Sequence, residues 1–528
     1  MIRIGNASGF YGDRSAAWRE MLDGGPLDVL TGDYLAELTM LILGRDRLKD
    51  PSLGYARTFL RQMEECLGLA ADRGVRIVTN AGGLNPAGLA AALGSLTARL
   101  GIRTTIGYVE GDALDRPGAL AANAYLGAFG IASCLDAGAG VVVTGRITDA
   151  SLVVGPAIAH FGWTRDDLDA LAGATVAGHV LECGAQATGG NFSFFTELPD
   201  GGRRPGFPIA EVHADGSSVI TKHPGTGGAV TVETVTAQLV YEIAAPAYPG
   251  PDVVTHLDTV RLAQEGPDRV RVTGTRGTPP PPTLKVGVAG VDGHRNAMTF
   301  VLAGSDLDAK AALVRAQVED AVGKEGLTFT RTSTEFGALL HVAIHDADAR
   351  RAGRAFSSAA VELALASYPG CTLTTPPGDA TPHTVFTAEH IPQGPHWAIH
   401  PDGTRVEIPP PARVEEPSAA PAGRSPVRTS ERPRGAYGTR SGDKGPDANI
   451  GVWARSADDY AALTGWLSGE RLAELLPEVA GHPVERYELP NLWAVNFVIK
   501  GLLARRDWLD PQGKALGERL RARLAEAP

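Results

Sequence analysis

The chain has no cysteine framework. Its four cysteines, Cys66, Cys134, Cys183 and Cys371, lie far apart and form no Cys-x-x-Cys pair. That removes the sequence signals for a zinc site and for a disulfide scaffold, and reduced thiols in a cytoplasm are expected. No run of about 18 apolar residues occurs, and the start MIRIGNASGF has no basic stretch ahead of an apolar one, so neither a membrane span nor a secretory leader is expected. Basic side chains are in the minority: 49 Lys and Arg against 60 Asp and Glu leave a net charge of −11, with no Lys/Arg block. A nucleic-acid partner is not indicated. The phosphate-binding patterns G-x-x-x-x-G-K-[ST] and G-x-G-x-x-G are missing, so no ATP or NAD motif supports a nucleotide cofactor. The absence of G-x-S-x-G and H-E-x-x-H removes the familiar serine-hydrolase and zinc-protease signals. A divalent metal stays open.

What is present is enough chain, at 528 residues, for two or three domains with large cores. The first 165 residues alternate short β-branched runs with longer helical patterns, the signature of a parallel sheet flanked by helices. IRIG, LDVL, VRIVT, TTIGYV and GVVVTG are the expected strands. YLAELTMLILGRDRL, YARTFLRQMEECLGLAADRG, AGLAAALGSLTARLG and AANAYLGAFGIASCLDAG are the expected helices. Residues 1–206 are read as this α/β unit. Residues 207–407, with short strands such as VTVETV, LKVGVAG and MTFVLAG and a helix at DLDAKAALVRAQVEDAVG, are read as an α+β second lobe. The stretch 408–434 is too rich in Pro, Ser and charge to bury apolar area and reads as a linker. Residues 435–528 are expected to form a small α/β domain.

In an open parallel sheet ligands sit beyond the carboxyl ends of the strands. The residues there are Asn6 and Ser8, then Asp33, then Asn80 with Gly82 and Gly83, then Glu110 and Asp112, then Arg146 and Asp149. A guanidinium such as Arg146 can fork a carboxylate or pair with Asp149 or Asp33. Asp33 and Glu37, one helical turn apart, could share acid/base work, hold a divalent cation or simply complement a helix dipole.

GHVLECGAQATGGNF sets Cys183 beside Glu182. A neighbouring carboxylate disfavours a thiolate, and His179 is the only activating base close in sequence. Packing, pocket lining and nucleophile all remain open for Cys183. Gly189, Gly190 and Asn191 follow. Lys222, His223, Thr226, Gly227 and Gly228 form a second glycine-rich loop that could approach an acyl oxygen or phosphate. YGTRSGDKGPDANIG is read as a loop carrying Arg440, Asp443 and Lys444, either holding an anion or satisfying itself.

SGFYGD, LTGDYLAELTM, VTNAGGLNP, ANAYLGA, VTGRITDASL, GHVLECGAQATGGNF, FPIAEVHADGS, KHPGTGG and RSGDKGPDANIG occur in this order. Together they resemble the acyclic terpene utilisation AtuA family over nearly the whole chain. The resemblance implies a ferredoxin-like fold for the C-terminal domain. It also implies handling of branched or isoprenoid acyl-CoA thioesters or related carboxylic acids. Family motifs fall on Asp33, Glu37, Asn80, Arg146, Asp149, Glu182, Cys183 and Asn191. The reading that follows is a lyase or hydro-lyase in which Arg146 binds a carboxylate, Asp33 or Glu182 moves a proton, and the amides of Gly189, Gly190, Gly227 and Gly228 steady an enolate-like oxygen. Two alternatives accompany it: a non-catalytic partner subunit, and a thiol-dependent acyl transferase using Cys183. A homo-oligomer is expected on general grounds.

Overall fold

Short β-branched runs buried on both sides need a sheet covered by helices on both faces, and the N-terminal part of the chain is built that way. The computed structural model describes residues 1–417, 433–503 and 512–526. In chain order its first strands are β1 (Ile2–Asn6), β2 (Val29–Gly32), β3 (Arg76–Thr79), β4 (Ile106–Glu110), β5 (Ala121–Ala124), β6 (Val141–Thr144), β7 (Pro208–Val212) and β8 (Ser218–Lys222). The helices among and after them are α1 (Ala17–Gly24), α2 (Glu37–Lys49), α3 (Arg57–Asp72), α4 (Pro86–Leu100), α5 (Phe129–Asp136), α6 (Ser151–Phe161), α7 (Leu168–Leu181) and α8 (Val232–Leu239).

Strands β1, β2, β3, β6 and β4 lie side by side in that order, all parallel. Alternate residues serve opposite layers. Val29, Val78 and Val142 join the core under α5, α6 and α7, while Leu30, Ile77, Val141 and Val143 pack on α1, α3 and α4. Helix starts and stops follow local chemistry: the Asn85 side chain accepts the Gly88 amide at 2.9 Å ahead of Pro86, and Gly101 closes α4 with φ of 67°.

Antiparallel strands extend this parallel centre on both sides. Beyond β1 lie β7, β8, Arg269–Thr273 and Arg261–Gly266; beyond β4 lie His396–Ile399 and Arg405–Ile408. The boundary expected at 206/207 therefore falls inside the sheet, because β7 pairs directly with β1. Two antiparallel sheets within 207–407 stand apart from that sheet: a small one of Arg276–Thr278, Val254–His256 and Ala247–Pro249, and a larger one of Leu327–Thr334, Gly337–Asp346, Thr283–Ala303 and Thr381–Pro392. LKVGVAG and MTFVLAG, expected as separate strands, belong to the single long strand Thr283–Ala303.

Two further expectations give way to pairing. AANA is strand β5 rather than helix, because it pairs antiparallel with Val286–Ala289. VTVETV opens α8, where Thr231 and Thr234 form a reciprocal capping box.

The C-terminal domain is a four-stranded antiparallel sheet in the order Tyr437–Lys444, Asp447–Ala454, Ala494–Ile499, Val484–Leu489. Helices Ala457–Trp466, Gly469–Leu475 and Gln512–Ala525 pack on it around a core of its own. YGTRSGDK, expected as a loop, is the first of these strands, in continuous register with the second. Most of the expected 408–434 linker lies outside the described residues. Its described start is tied back, with the Glu415 amide donating to the Pro280 carbonyl at 2.9 Å. Among the described residues no helix is long and apolar enough to cross a membrane, and Cys66, Cys134, Cys183 and Cys371 are all free thiols.

Candidate active site

The carboxyl ends of β1, β2, β3 and β6 converge, and each turn there is fixed by hydrogen bonds that its own sequence supplies. After β2, the Asp33 amide donates to the Ser8 carbonyl and Ser8 Oγ donates to the Asp33 carbonyl, both at 2.9 Å. Asn80, following β3, donates from Nδ2 to Asp33 Oδ1 at 2.6 Å and accepts the Tyr34 amide at 2.7 Å. Asn6 Nδ2 donates to the carbonyls of Leu181 (2.6 Å) and Glu182 (3.2 Å), drawing the end of α7 to the same rim. After β6, a Cβ on Gly145 would lie 2.6 Å from Asp112 Oδ2, so only glycine lets that carboxyl accept the Arg146 amide at 2.8 Å.

Arg146 is buried. It donates to the Leu35 carbonyl at 3.0 Å, pairs with Asp149 at 3.1 Å and lies 4.1 Å from the ring centre of Tyr125. Lys285, from the second sheet, sits 4.8 Å from the same ring. His179 pairs with Glu182 at 3.2 Å and leans against Tyr248 with ring centres 5.4 Å apart.

These neighbours set the acidities. Burial lifts the Asp33 carboxyl well above its ordinary range, and the charge of Asp149 adds to that, while Arg146 and Asn80 oppose. Burial also lifts Asp149; Arg146 pulls it back, Glu182 pushes it up and Lys285 pulls it down. Asp149 keeps the direct ion pair, and its side chain is 30% exposed, so of the two carboxyls Asp33 is the one placed to retain a proton. Burial pushes Asp112 up to about 6. Burial, with help from Arg146, lowers the Lys285 ammonium. Burial works against the Arg146 charge, and the Asp149 carboxylate beside it is the strongest influence keeping it cationic. Two carboxyls whose surroundings favour different protonation states, beside a fixed guanidinium, make an acid and a base available at one place.

Residues 2–117 and 115–396 match the family profile described as acyclic terpene utilisation family protein AtuA, and residues 436–524 match the AtuA ferredoxin-like domain. The chain belongs to the acyclic terpene utilisation AtuA family. No curated protein matches it at a significant level.

Within this AtuA-family chain the other expected site residues divide. Asn6 and Ser8 brace the rim from beneath. Glu37 begins α2, with Ala36 as its extended N-cap, so it does not share a helix turn with Asp33; its charge instead bears on Tyr125 and Lys285. Gly82 and Gly83 serve packing: a Cβ on Gly82 would lie 2.4 Å from the Thr144 carbonyl oxygen, and one on Gly83 2.3 Å from Leu43.

The oxyanion role expected of Gly189 and Gly190 is not met, because their amides donate to the carbonyls of Gln186 (3.2 Å) and Ala185 (2.9 Å). Gly227 and Gly228 are glycines because the carbonyl oxygens of Arg204 and Thr188 approach within 2.3 and 2.2 Å of a Cβ position. Asn191 is exposed and in the left-handed region with φ of 56°; its carbonyl accepts from Arg440 at 2.8 Å. Lys222 pairs with Asp268 at 3.0 Å and donates to the Thr226 carbonyl at 2.6 Å, while His223 bonds the Met21 carbonyl at 2.9 Å. The Lys222 and His223 side chains of this second glycine-rich loop are thus taken up by internal bonds. Glu110 pairs with Arg405 at 3.2 Å at the sheet edge. Asp443 lies in the first strand of the C-terminal sheet, and the side chain of Lys444 lies outside the described residues.

Cys183 is half-buried, and burial together with Glu182 and Glu242 drives its thiol well above the usual range. Tyr125, Tyr248, Glu242 and Lys285 join the cluster without having stood out in the sequence. Among the described residues no group of three or more His, Cys, Asp or Glu is placed to hold a metal ion. An open cleft of about 700 Å³ lined by Phe129, Trp163, Arg165 and His400 lies elsewhere, against α5 and α6.

Proposed function

We propose that the protein is a lyase of the hydro-lyase type acting on a branched carboxylic acid or its acyl thioester. The observation that supports it is the protonatable, buried Asp33 set beside the Arg146–Asp149 ion pair. Asp149, as carboxylate, takes the proton next to the acyl carbonyl. Its C–H electron pair becomes the new double bond, the β-carbon to oxygen bond breaks, and Asp33 delivers its proton to the departing hydroxyl, releasing water. Arg146 and Lys285 supply the positive charge that the carbonyl oxygen needs as charge builds on it. Hydration is the same path reversed. A branched, isoprenoid substrate, free or as its CoA thioester, is what family membership favours.

Strand-end carboxylates paired only with each other at the surface would favour the partner-subunit reading, whereas Asp33 is buried and Asp149 pairs with Arg146. The acyl-transferase reading needs a thiolate, which the surroundings of Cys183 oppose. Incubation with a panel of branched β-hydroxyacyl and unsaturated acyl thioesters and free acids, read by mass spectrometry, tests the proposal. Gain or loss of one water that disappears in Asp33→Asn supports it. No water change with any compound, or an unaffected Asp33→Asn protein, overturns it.

A further inference from the structure

We propose that the ferredoxin-like domain completes the site by holding Glu242 against it, with Asn449 and Asn496 as positioning residues. This rests on the reading of the strand-end cluster as the active site.

Residues 240–244 follow α8 without regular structure, and Glu242 stands in the left-handed region with φ of 54°. A non-glycine residue costs roughly 1–2 kcal/mol there, so something must hold it. Asn449 accepts the Glu242 amide at 2.8 Å and donates to the Val240 carbonyl at 3.1 Å. Asn496 donates to the carbonyls of Ala244 (2.7 Å) and Ile243 (3.3 Å) and accepts from Asn449 at 2.5 Å. Both asparagines are buried, at 1% and 0% exposure, on adjacent strands of the C-terminal sheet. Two buried amides spend their hydrogen bonds on a loop of the other domain, although their own domain has a separate apolar core.

Close approach points the same way. A Cβ on Gly442 would lie 2.7 Å from Glu242 Cγ, and one on Gly451 2.5 Å from Val240 Cβ. Arg440 lies 4.4 Å from the ring centre of Tyr241 while bonding Gln186 and the Asn191 carbonyl, so one strand touches both segments that flank Cys183 in space. The Glu242 charge reaches the cluster: it raises Cys183, Tyr241 and Tyr248 and works against the loss of charge on Lys285. Freed of Asn449, the backbone at Glu242 would relax from the left-handed region and carry the carboxylate away.

Cys183 is a built-in reporter, since it faces Glu182, Glu242, Arg440 and Asp33. In the full-length protein, the rate of iodoacetamide alkylation at Cys183, resolved from the other cysteines by mass spectrometry, is measured against pH. Glu242→Gln removes a like charge, so the midpoint should fall and alkylation at a fixed pH below it should speed up. Asn449→Ala should shift the profile in the same direction. Asn491→Ala, which loses interdomain bonds to the Leu257 and Val260 carbonyls, should leave it in place. Should Asn449→Ala fail to fold, Gly442→Ala displaces Glu242 by contact and gives the same readout.

An unmoved profile in Glu242→Gln or in the Asn449 and Gly442 variants overturns the proposal, as does an equal shift in Asn491→Ala. Failure of the hydro-lyase reading would appear separately, as no water gained or lost by the unaltered protein, with the alkylation result standing.

Discussion

Asp112→Asn isolates one consequence of burying a carboxyl. Asp112 is 3% exposed and accepts the Arg146 amide and Asn123 Nδ2, each at 2.8 Å. Burial moves its pKa from 3.8 to about 6, against the pull of those donors and of the Arg146 charge. Roughly two units correspond to about 3 kcal/mol. The sign follows from proton binding: between these two values the folded state holds a proton that the unfolded state has released, so this group's stabilising contribution is full below about pH 4 and is lost as pH rises through about 6. Asparagine keeps the shape and an acceptor but cannot ionise. The difference in melting temperature, variant minus wild type, should therefore grow from pH 4 to pH 7.5. For roughly 400 residues unfolding together, 3 kcal/mol corresponds to about 3–4 °C. Scanning calorimetry at matched ionic strength measures it, and comparing variant with wild type cancels the titrations they share. A difference that is flat, or that shrinks with pH, would refute the argument that desolvation at Asp112 outweighs the attraction of Arg146.

Three further outcomes follow from the geometry. Arg146→Lys should lower turnover at least tenfold with the far-ultraviolet circular dichroism unchanged, because one ammonium cannot hold the Leu35 carbonyl and Asp149 while covering Tyr125; steady-state kinetics decide it, and full activity would remove Arg146 from the chemistry. Cys183→Ala should retain turnover within about threefold, and a loss of several hundredfold would restore the thiol as a nucleophile. Gly82→Ala should destabilise by about 3 kcal/mol, because its methyl would meet the Thr144 carbonyl oxygen at 2.4 Å and the Pro86 Cα at 2.8 Å; calorimetry would register this, and an unchanged melting point would show that the loop can shift.

The parallel centre was legible because its strands are apolar runs that end in polar residues, and the rule about strand ends pointed to Asp33, Asn80, Arg146 and Asp149. What escaped was whatever depends on pairing across long separations. AANA reads as helix because alanine favours it locally, yet Val286–Ala289 recruits it as a strand. That same pairing brings Tyr125 and Lys285 to Arg146, and no local pattern announces it. KHPGTGG shows the opposite case: carbonyl oxygens crowd the Cβ positions of Gly227 and Gly228, so these two glycines need no ligand to account for them. Glu242 reaches the site through contacts with residues roughly two hundred positions later.

The return of the chain to its first sheet at residues 396–408 limits how the protein can be trimmed. A fragment ending near 206 would strip β7 from β1, and one ending near 282 would leave β4 without its outer neighbour. Either cut bares a row of backbone donors and acceptors, which invites edge-to-edge association. A soluble N-terminal piece must run past Ile408, and it would still lack the asparagines that grip residues 240–244.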